Sequence, residues 1–234
     1  MNLIKQDHTD ITFVQKPYLF QNKTAGITRT HWAYISTEDR SRAAIIITNE
    51  NIDAVLINQL CDRNNVVLEL KYKSIRIFVA SMYLDKNEET DTNMAKVDEI
   101  IQISKGSSIL IAMDSNARSK VWHDNQTNSR GKKLKQILTS RDLHIMYEES
   151  ERTTFQSRRG SSKIDLTVIN NPLLQNFHDW EISEDERCSD HNIIKFKLGH
   201  ETKQVTQHNH QGLRYIIQKK KTPNNNPTTG LTKI

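Results

Sequence analysis

The stretch Ile109-Leu-Ile-Ala-Met-Asp-Ser-Asn116 decides how this chain is read. Its five leading apolar residues fall far short of the ~20 needed to cross a bilayer. A short, unbroken apolar run of this kind fits a strand buried on both faces. The run stops on a carboxylate, Asp114, and Asn116 follows two positions on, on the same side of an extended chain. A second acid, Asp165, lies inside Lys163-Ile-Asp-Leu-Thr-Val168 and alternates with Ile164, Leu166 and Val168. A third, Asp190, leads with His191 into Asn192-Ile-Ile-Lys-Phe196. An ionised carboxylate is costly to bury unless it is paired or metal-bound. Three such acids and a histidine at the ends of buried-looking strands imply either a satisfied polar network or a hard-cation site. Oxygen ligands of this type suit Mg²⁺ or Mn²⁺.

Working outward, the same short β-rich pattern recurs at residues 12–15, 43–47, 66–70, 76–80, 109–112, 164–169 and 193–198. Residues 66–72 and 74–81 alternate about a tight connection at Lys73-Ser74, as a hairpin does. Two helices are expected. One is capped by Asp91 or Thr92 and carries Met94, Val97, Ile100 and Ile101. The other runs from about Gly131 to Leu143, with Leu134, Ile137 and Leu138 on one face. Strand runs with a few intervening helices predict an α/β sandwich, packed sheets with helices outside. Residues 1–198 read as one unit. Residues 199–234, rich in Gln, Asn, Thr, Pro and Lys, read as a polar basic tail or linker.

At 234 residues the chain can bury a full core without covalent staples. Two cysteines exclude a disulfide scaffold and a Cys-rich zinc module. No signal peptide is visible in Met1-Asn-Leu-Ile-Lys5 and no run spans a membrane, so a soluble intracellular protein is expected. The net charge of +5 is all in residues 200–234, which hold six Lys or Arg and one Glu, so the body is neutral. A polyanion would have to be met through local patches. Two present themselves: Arg130-Gly-Lys-Lys-Leu-Lys135, and residues 152–163 centred on Arg158-Arg159. Solvated faces or loops are the plainer reading of both.

The segments Gln15-Lys-Pro-Tyr18, Ser81-Met-Tyr-Leu-Asp85, Met113-Asp-Ser-Asn-Ala-Arg-Ser119 with Trp122-His123, Arg130-Gly131, Thr153-Thr-Phe155, Ser162-Lys-Ile-Asp-Leu-Thr167 and Ser189-Asp-His-Asn192 occur in this order. Together they resemble the endonuclease/exonuclease/phosphatase superfamily, and more narrowly the apurinic-endonuclease-like domain of non-LTR retrotransposon polyproteins, over about residues 3–198. The resemblance implies a four-layered, DNase-I-like α/β sandwich with its site where two sheets open. It implies that His191 acts at the scissile phosphate and is oriented by Asp165, since a carboxylate fixes the imidazole tautomer and supports its charged form. It places Asp114 and Asn116 at the attacking water and the phosphate, Tyr83 at the phosphate or leaving group, and Asp190 by the metal, Mg²⁺ or Mn²⁺. The implied reaction is metal-dependent hydrolysis of a DNA phosphodiester to a nick with a 3′-hydroxyl, in the nucleus. The Arg158-Arg159 loop is the best candidate for contacts to the DNA backbone.

The chain departs from the family at two points. The family's metal-binding Glu belongs to Gln-Glu-Pro-Tyr, and this chain has Lys16 there. At ~4 Å and an effective dielectric near 20, each unit of metal charge beside an ammonium costs roughly 4 kcal/mol before relaxation. The family's first strand precedes that motif by some thirty residues, whereas only 15 residues precede Lys16 here. A missing strand, leaving an unpaired sheet edge, is therefore expected, as is a truncated copy of a retroelement reading frame. The alternative function is a catalytically impaired relic that keeps the fold and binds nucleic acid. A third reading keeps the fold and turns it on a phosphoinositide or sphingolipid.

Overall fold

Strand-forming runs that are apolar on both faces need cover on both, and the protein supplies it with a second sheet on one side and helices on the other. The computed structural model describes residues 9–20, 23–24, 32–36, 38, 40–147, 152–183, 189–199 and 213–218. In chain order the strands are β1 (Ile11–Gln15), β2 (Leu19–Phe20), β3 (Lys23–Thr24), β4 (Trp32–Ile35), β5 (Ala43–Ile47), β6 (Asp53–Leu56), β7 (Asn65–Tyr72), β8 (Ile75–Tyr83), β9 (Ser108–Asp114), β10 (Leu143–Met146), β11 (Phe155–Ser157), β12 (Gly160–Ser162), β13 (Asp165–Asn170), β14 (Phe177–Ile182), β15 (Ile194–Leu198) and β16 (Leu213–Gln218). The long helices are α1 (Thr90–Ile103) and α2 (Ser129–Ser140). One six-stranded sheet has the order β14-β15-β16-β1-β5-β4 and the other β10-β13-β9-β8-β7-β6. No described helix is long and apolar enough to cross a membrane.

Alternation sorts the side chains into two cores. Ile11, Phe13 and Ile45 of the first sheet meet Val66, Leu68, Val79, Leu110 and Ile169 of the second. On the opposite face of the second sheet, Val67, Ala80, Ile109, Ile111 and Val168 pack under Met94, Val97 and Ile100 of α1 and Leu134 and Leu138 of α2. The expected α/β sandwich is therefore observed. Among the described residues it has three layers, since both long helices lie on the second sheet.

Several sequence expectations need adjustment. The β7–β8 hairpin forms with Asn65 paired to Met82 and Tyr72 to Ile75, and Lys73 takes a left-handed φ of 54° in the turn. Helix α1 is capped at Glu89, whose side chain makes no cap bond, and Asp91 falls in its first turn. Asn128 caps α2, its side chain accepting from the Gly131 N–H at 2.7 Å, so this helix begins and ends earlier than expected.

The largest correction concerns the expected tail. Leu213–Gln218 is a strand inside the first sheet, parallel to β1 (Ile11 beside Tyr215, Val14 beside Gln218) and antiparallel to β15. No described strand precedes β1, but the unpaired edge expected beside it is occupied by this later segment. The rest of the expected tail, 200–212 and 219–234, lies outside the described residues. The basic stretch 130–135 is divided, with Lys132 and Lys135 exposed on its outer side. Arg130 and Leu134 are buried, and Lys133 is paired with Asp91.

Candidate active site

Strand register builds the site. Tyr83 on β8 is the partner of Asp114 on β9, and Asp114 is the partner of Asp165 on β13. All three follow the parity of Val79, Leu110 and Ile169, so they project into the space between the sheets, at the end where the strands stop. One row deeper, Ser81, Ala112 and Thr167 are likewise partners across the same strands. Gln15 Nε2 of the first sheet donates to Ser81 Oγ (3.1 Å) and the Ala112 carbonyl (3.3 Å). Trp180 Nε1 of β14 donates to Thr167 Oγ1 (3.0 Å). A polar belt thus joins the sheets between the apolar core and the acidic row above it.

His191 comes to this row from the first sheet's side. Its Nδ1 lies 2.8 Å from Asp165 Oδ2, with the two side chains only 13% and 3% exposed. The Phe155 ring meets the imidazole edge-on, centroids 4.8 Å apart. The backbone is stitched here: the Gln156 N–H donates to the Asp190 carbonyl and the Asn192 N–H to the Thr154 carbonyl. The Asn192 amide donates to the Thr153 carbonyl at 2.6 Å. Thr154 belongs to the segment Thr153-Thr-Phe155. Its buried Oγ1 accepts from both the Ile164 and Asp165 N–H groups at 3.0 Å, so it fixes the backbone of the dyad's carboxylate. No sequence pattern announces such a bond.

Asp114 is 1% exposed. The Asn116 N–H reaches its Oδ1 at 3.3 Å, and Asn116 Nδ2 donates to the Leu84 carbonyl at 2.9 Å. Asn116 sits at φ 46°, a left-handed conformation that Asn tolerates better than most residues. Asp114, Asp165 and His191 each offer a ligand atom within 4.8 Å of the others. Two buried carboxylates and an imidazole fit a divalent cation on this side of the cleft. Asp190, implied as the metal residue, is exposed and stands outside that cluster.

Position 16 does not fit a cation. Lys16 follows β1 in a left-handed turn (φ 53°), its N–H donating to the Arg42 carbonyl at 2.7 Å. Its ammonium lies 4.4 Å from the centroid of the Tyr83 ring, and the Arg42 guanidinium 5.5 Å from the same centroid. Arg42 also pairs with Asp85. Burial pushes the Asp85 carboxyl up, but the Asn87 N–H and the Arg42 guanidinium, with Lys16 behind them, leave it below the ordinary carboxylate value. Arg130 is lowered from the ordinary guanidinium value by burial, against the opposing pull of Asp85, Glu88, Tyr83 and Asp114.

Arg158 and Arg159 form the exposed two-residue turn of the β11–β12 ribbon. The ribbon grows from Phe155, which bridges to His191, so its tip is tethered to the dyad. Other side chains able to bear chemistry or stack on a base lie elsewhere. Trp122 is buried in the core between the second sheet and the helices. His123 is exposed with its ring 4.5 Å from Tyr147, and His178 faces the Gly199 carbonyl. His31 and Cys188 are outside the described residues.

Two sheets that open onto a His–Asp dyad and a second buried carboxylate define the DNase-I-like class of α/β folds. Comparison with known proteins bears this out. The chain belongs to the family described as Endonuclease-reverse transcriptase, whose profile matches residues 77–195. It is 23% identical over 164 residues to the Retrovirus-related Pol polyprotein from type-1 retrotransposable element R1 of Bradysia coprophila, covering 67% of this chain and 16% of that protein. The chain thus spans about a sixth of that relative's length. Among solved structures it is similar to the endonuclease domain of TRAS1, a telomere-specific non-LTR retrotransposon (TM-score 0.77, 24% identity, 86% of this chain and 91% of that one). It is also similar to the AP endonuclease LMAP from Leishmania major (TM-score 0.68, 12% identity, 85% and 81%).

Proposed function

We propose that this chain is a DNA endonuclease domain of retrotransposon origin that hydrolyses one phosphodiester to leave a 3′-hydroxyl nick. The observation that carries the reading is the 2.8 Å contact between His191 Nδ1 and Asp165 Oδ2, beside buried Asp114 at the mouth of the sheets. Asp165 holds the imidazole at Nδ1 and so sets the direction of Nε2, which would meet a phosphate oxygen. Asp114 would take a proton from the attacking water, Asn116 would orient the phosphate and Tyr83 would support the leaving oxygen. The water oxygen bonds to phosphorus as its proton passes to Asp114, the P–O3′ bond breaks, and the leaving 3′-oxygen takes up a proton from solvent water. Asp114 and Asp165, with Asp190 at the rim, are the carboxylates that would hold Mg²⁺ or Mn²⁺. Such an ion supplies charge neutralisation at the phosphate. Arg158 and Arg159 would grip the backbone without reading sequence. A DNA target of this kind places the domain's work in the nucleus.

The test is nicking of supercoiled plasmid by purified chain with Mg²⁺ or Mn²⁺. The reading requires nicking that Asp190→Ala and His191→Ala abolish; equal nicking by those variants defeats it. One observation favours a second reading, a nucleic-acid-binding relic: Lys16 brings an ammonium to Tyr83, the register partner of Asp114. Calorimetric titration with Mg²⁺, wild type beside Lys16→Glu, separates the two. A wild type that binds metal and cuts as well as the Glu form eliminates the relic.

A further inference from the structure

The cleft carries cations of its own beside the acidic row. Gln15 is fastened across both sheets by its bonds to Ser81 and Ala112, so the residue after it leaves from a fixed point. That residue is Lys16, turned by its left-handed backbone so that Nζ rests on the Tyr83 ring. Among the described residues Lys16 makes no ion pair, and its side chain is exposed. Arg42 stands over the same ring, and its pairing with Asp85 fixes where it points. Behind them is Arg130, 6% exposed, whose Nη2 donates to the Asp85 and Glu88 carbonyls. Its Nη1 is buried with no acceptor among the described residues. Buried donors are almost always satisfied in native proteins, and one that is not points to a missing acceptor such as water or an ion. Two cations therefore stand over one aromatic ring, on the strand adjacent to Asp114, with a third buried behind them, and among the described residues only Arg42 of the three forms a salt bridge to a carboxylate.

We propose that Lys16 and Arg42, backed by Arg130, form a fixed-cation seat that takes a phosphodiester phosphate of DNA without any divalent ion. The complementary ligand is an anion with several acceptor oxygens, since the seat offers an ammonium and two guanidinium groups. Held on the ring by cation–π contact, Lys16 is positioned before the ligand arrives and loses little freedom on binding. The seat rests on the reading that DNA is the substrate, but it concerns binding and not cleavage.

The experiment is fluorescence anisotropy of a labelled 20-base-pair duplex with the whole chain, in EDTA and then in Mg²⁺, over a salt series. Wild type should bind within about twofold equally in both. Lys16→Gln should weaken binding in EDTA by about tenfold and reduce the slope of log K against log salt by about 0.9, one phosphate contact. Lys16→Arg should restore both. Lys16 is exposed, so its variants test the seat without unfolding the protein; circular dichroism checks this. Binding by Lys16→Gln equal to wild type in EDTA, or a wild type that needs Mg²⁺ to bind, overturns the proposal. Lys16-dependent binding without plasmid nicking sustains the seat and counts against the nuclease reading alone.

Discussion

Replacing Gly131 by alanine tests whether the loop that carries Asp114 and Asn116 is clamped to helix α2 by backbone contact. A Cβ at this position would stand 2.0 Å from the Arg118 carbonyl oxygen and 2.7 Å from its carbon. Both are backbone atoms, so no flexible side chain can yield. Reaching even 3.0 Å, the closest approach real Cβ atoms make, takes a displacement of about an ångström. Asn128 bridges the same elements, its Oδ1 accepting from the Gly131 and Arg118 N–H groups at 2.7 and 3.1 Å. Overpacking of this kind costs roughly 1–3 kcal/mol, and losing the cap adds about 1 kcal/mol. Displacing Arg130 puts its bonds to two carbonyls at risk, at roughly 1.5–3 kcal/mol for a charged donor. Alanine returns about 1 kcal/mol in helix propensity. The net is a destabilisation of about 2.5–6 kcal/mol, at or beyond the upper end of what most substitutions produce. Urea unfolding followed by circular dichroism measures it, as a lowered midpoint at unchanged slope. Gly106 is the control, because nothing lies within 4 Å of a Cβ there and only its φ of 87° opposes a side chain. A Gly131→Ala protein within 1 kcal/mol of wild type, or no worse than Gly106→Ala, would refute the clamp.

Three further outcomes follow from the site. Asp165→Asn keeps the side chain's shape but removes the charge that holds His191 Nδ1, so the plasmid-nicking rate should fall by about 10²–10⁴ with the fold unchanged by circular dichroism; a loss under threefold would deny the dyad its role. Asp85 is held below its unfolded value near 3.8, so its contribution to stability is present above that pH and lost as pH falls through the lower folded value; Asp85→Asn should therefore be less stable than wild type at pH 6 and converge on it in acid melts below about pH 3, and a constant gap would contradict this. Replacing both Arg158 and Arg159 by alanine should lower the salt slope of duplex binding by about 1.8 without moving the urea midpoint, whereas an unchanged slope would remove the ribbon tip from the DNA interface.

The strands that form the site were readable because they are buried on both faces. Residues 66–70, 77–80 and 109–112 lie between a sheet and two helices, and that environment demands nearly continuous apolar runs, interrupted here only at Glu69. The acids at their ends stood out for the same reason. What could not be read is set by distance along the chain. Asp165 and His191 are 26 residues apart, and resemblance, not spacing, joined them. The strand Leu213–Gln218 was hidden by its Lys- and Asn-rich surroundings, because composition averages over a segment whose role is set by two strands far away in sequence. Arg130 read as part of a solvated basic patch, since a row of charges gives no hint that its first member points inward. The edge strand β14 escaped because its burial alternates weakly and is broken by a register shift between His178 and Glu181.

The acidic row can exist because a polar belt separates it from the apolar core on the same face of the sheet. Asp114 and Asp165 are nearly inaccessible, and burying a carboxylate directly against hydrocarbon is costly. The layer beneath is not hydrocarbon. Gln15, Ser81, Thr167 and Trp180 supply polar contacts from both sheets, and Thr154 receives the Asp165 backbone from the side. His191 and Arg130 then bring positive or protonatable groups to opposite ends of the row. The parity that carries Ser81 into the belt carries Tyr83 into the site two residues later, and with it the ring on which Lys16 and Arg42 rest. Strand alternation therefore fixes the acids and the cations together: a one-residue slip of β8 against β9 would turn Tyr83 toward the helices and dismantle the acidic row's partner and the cation seat in a single step.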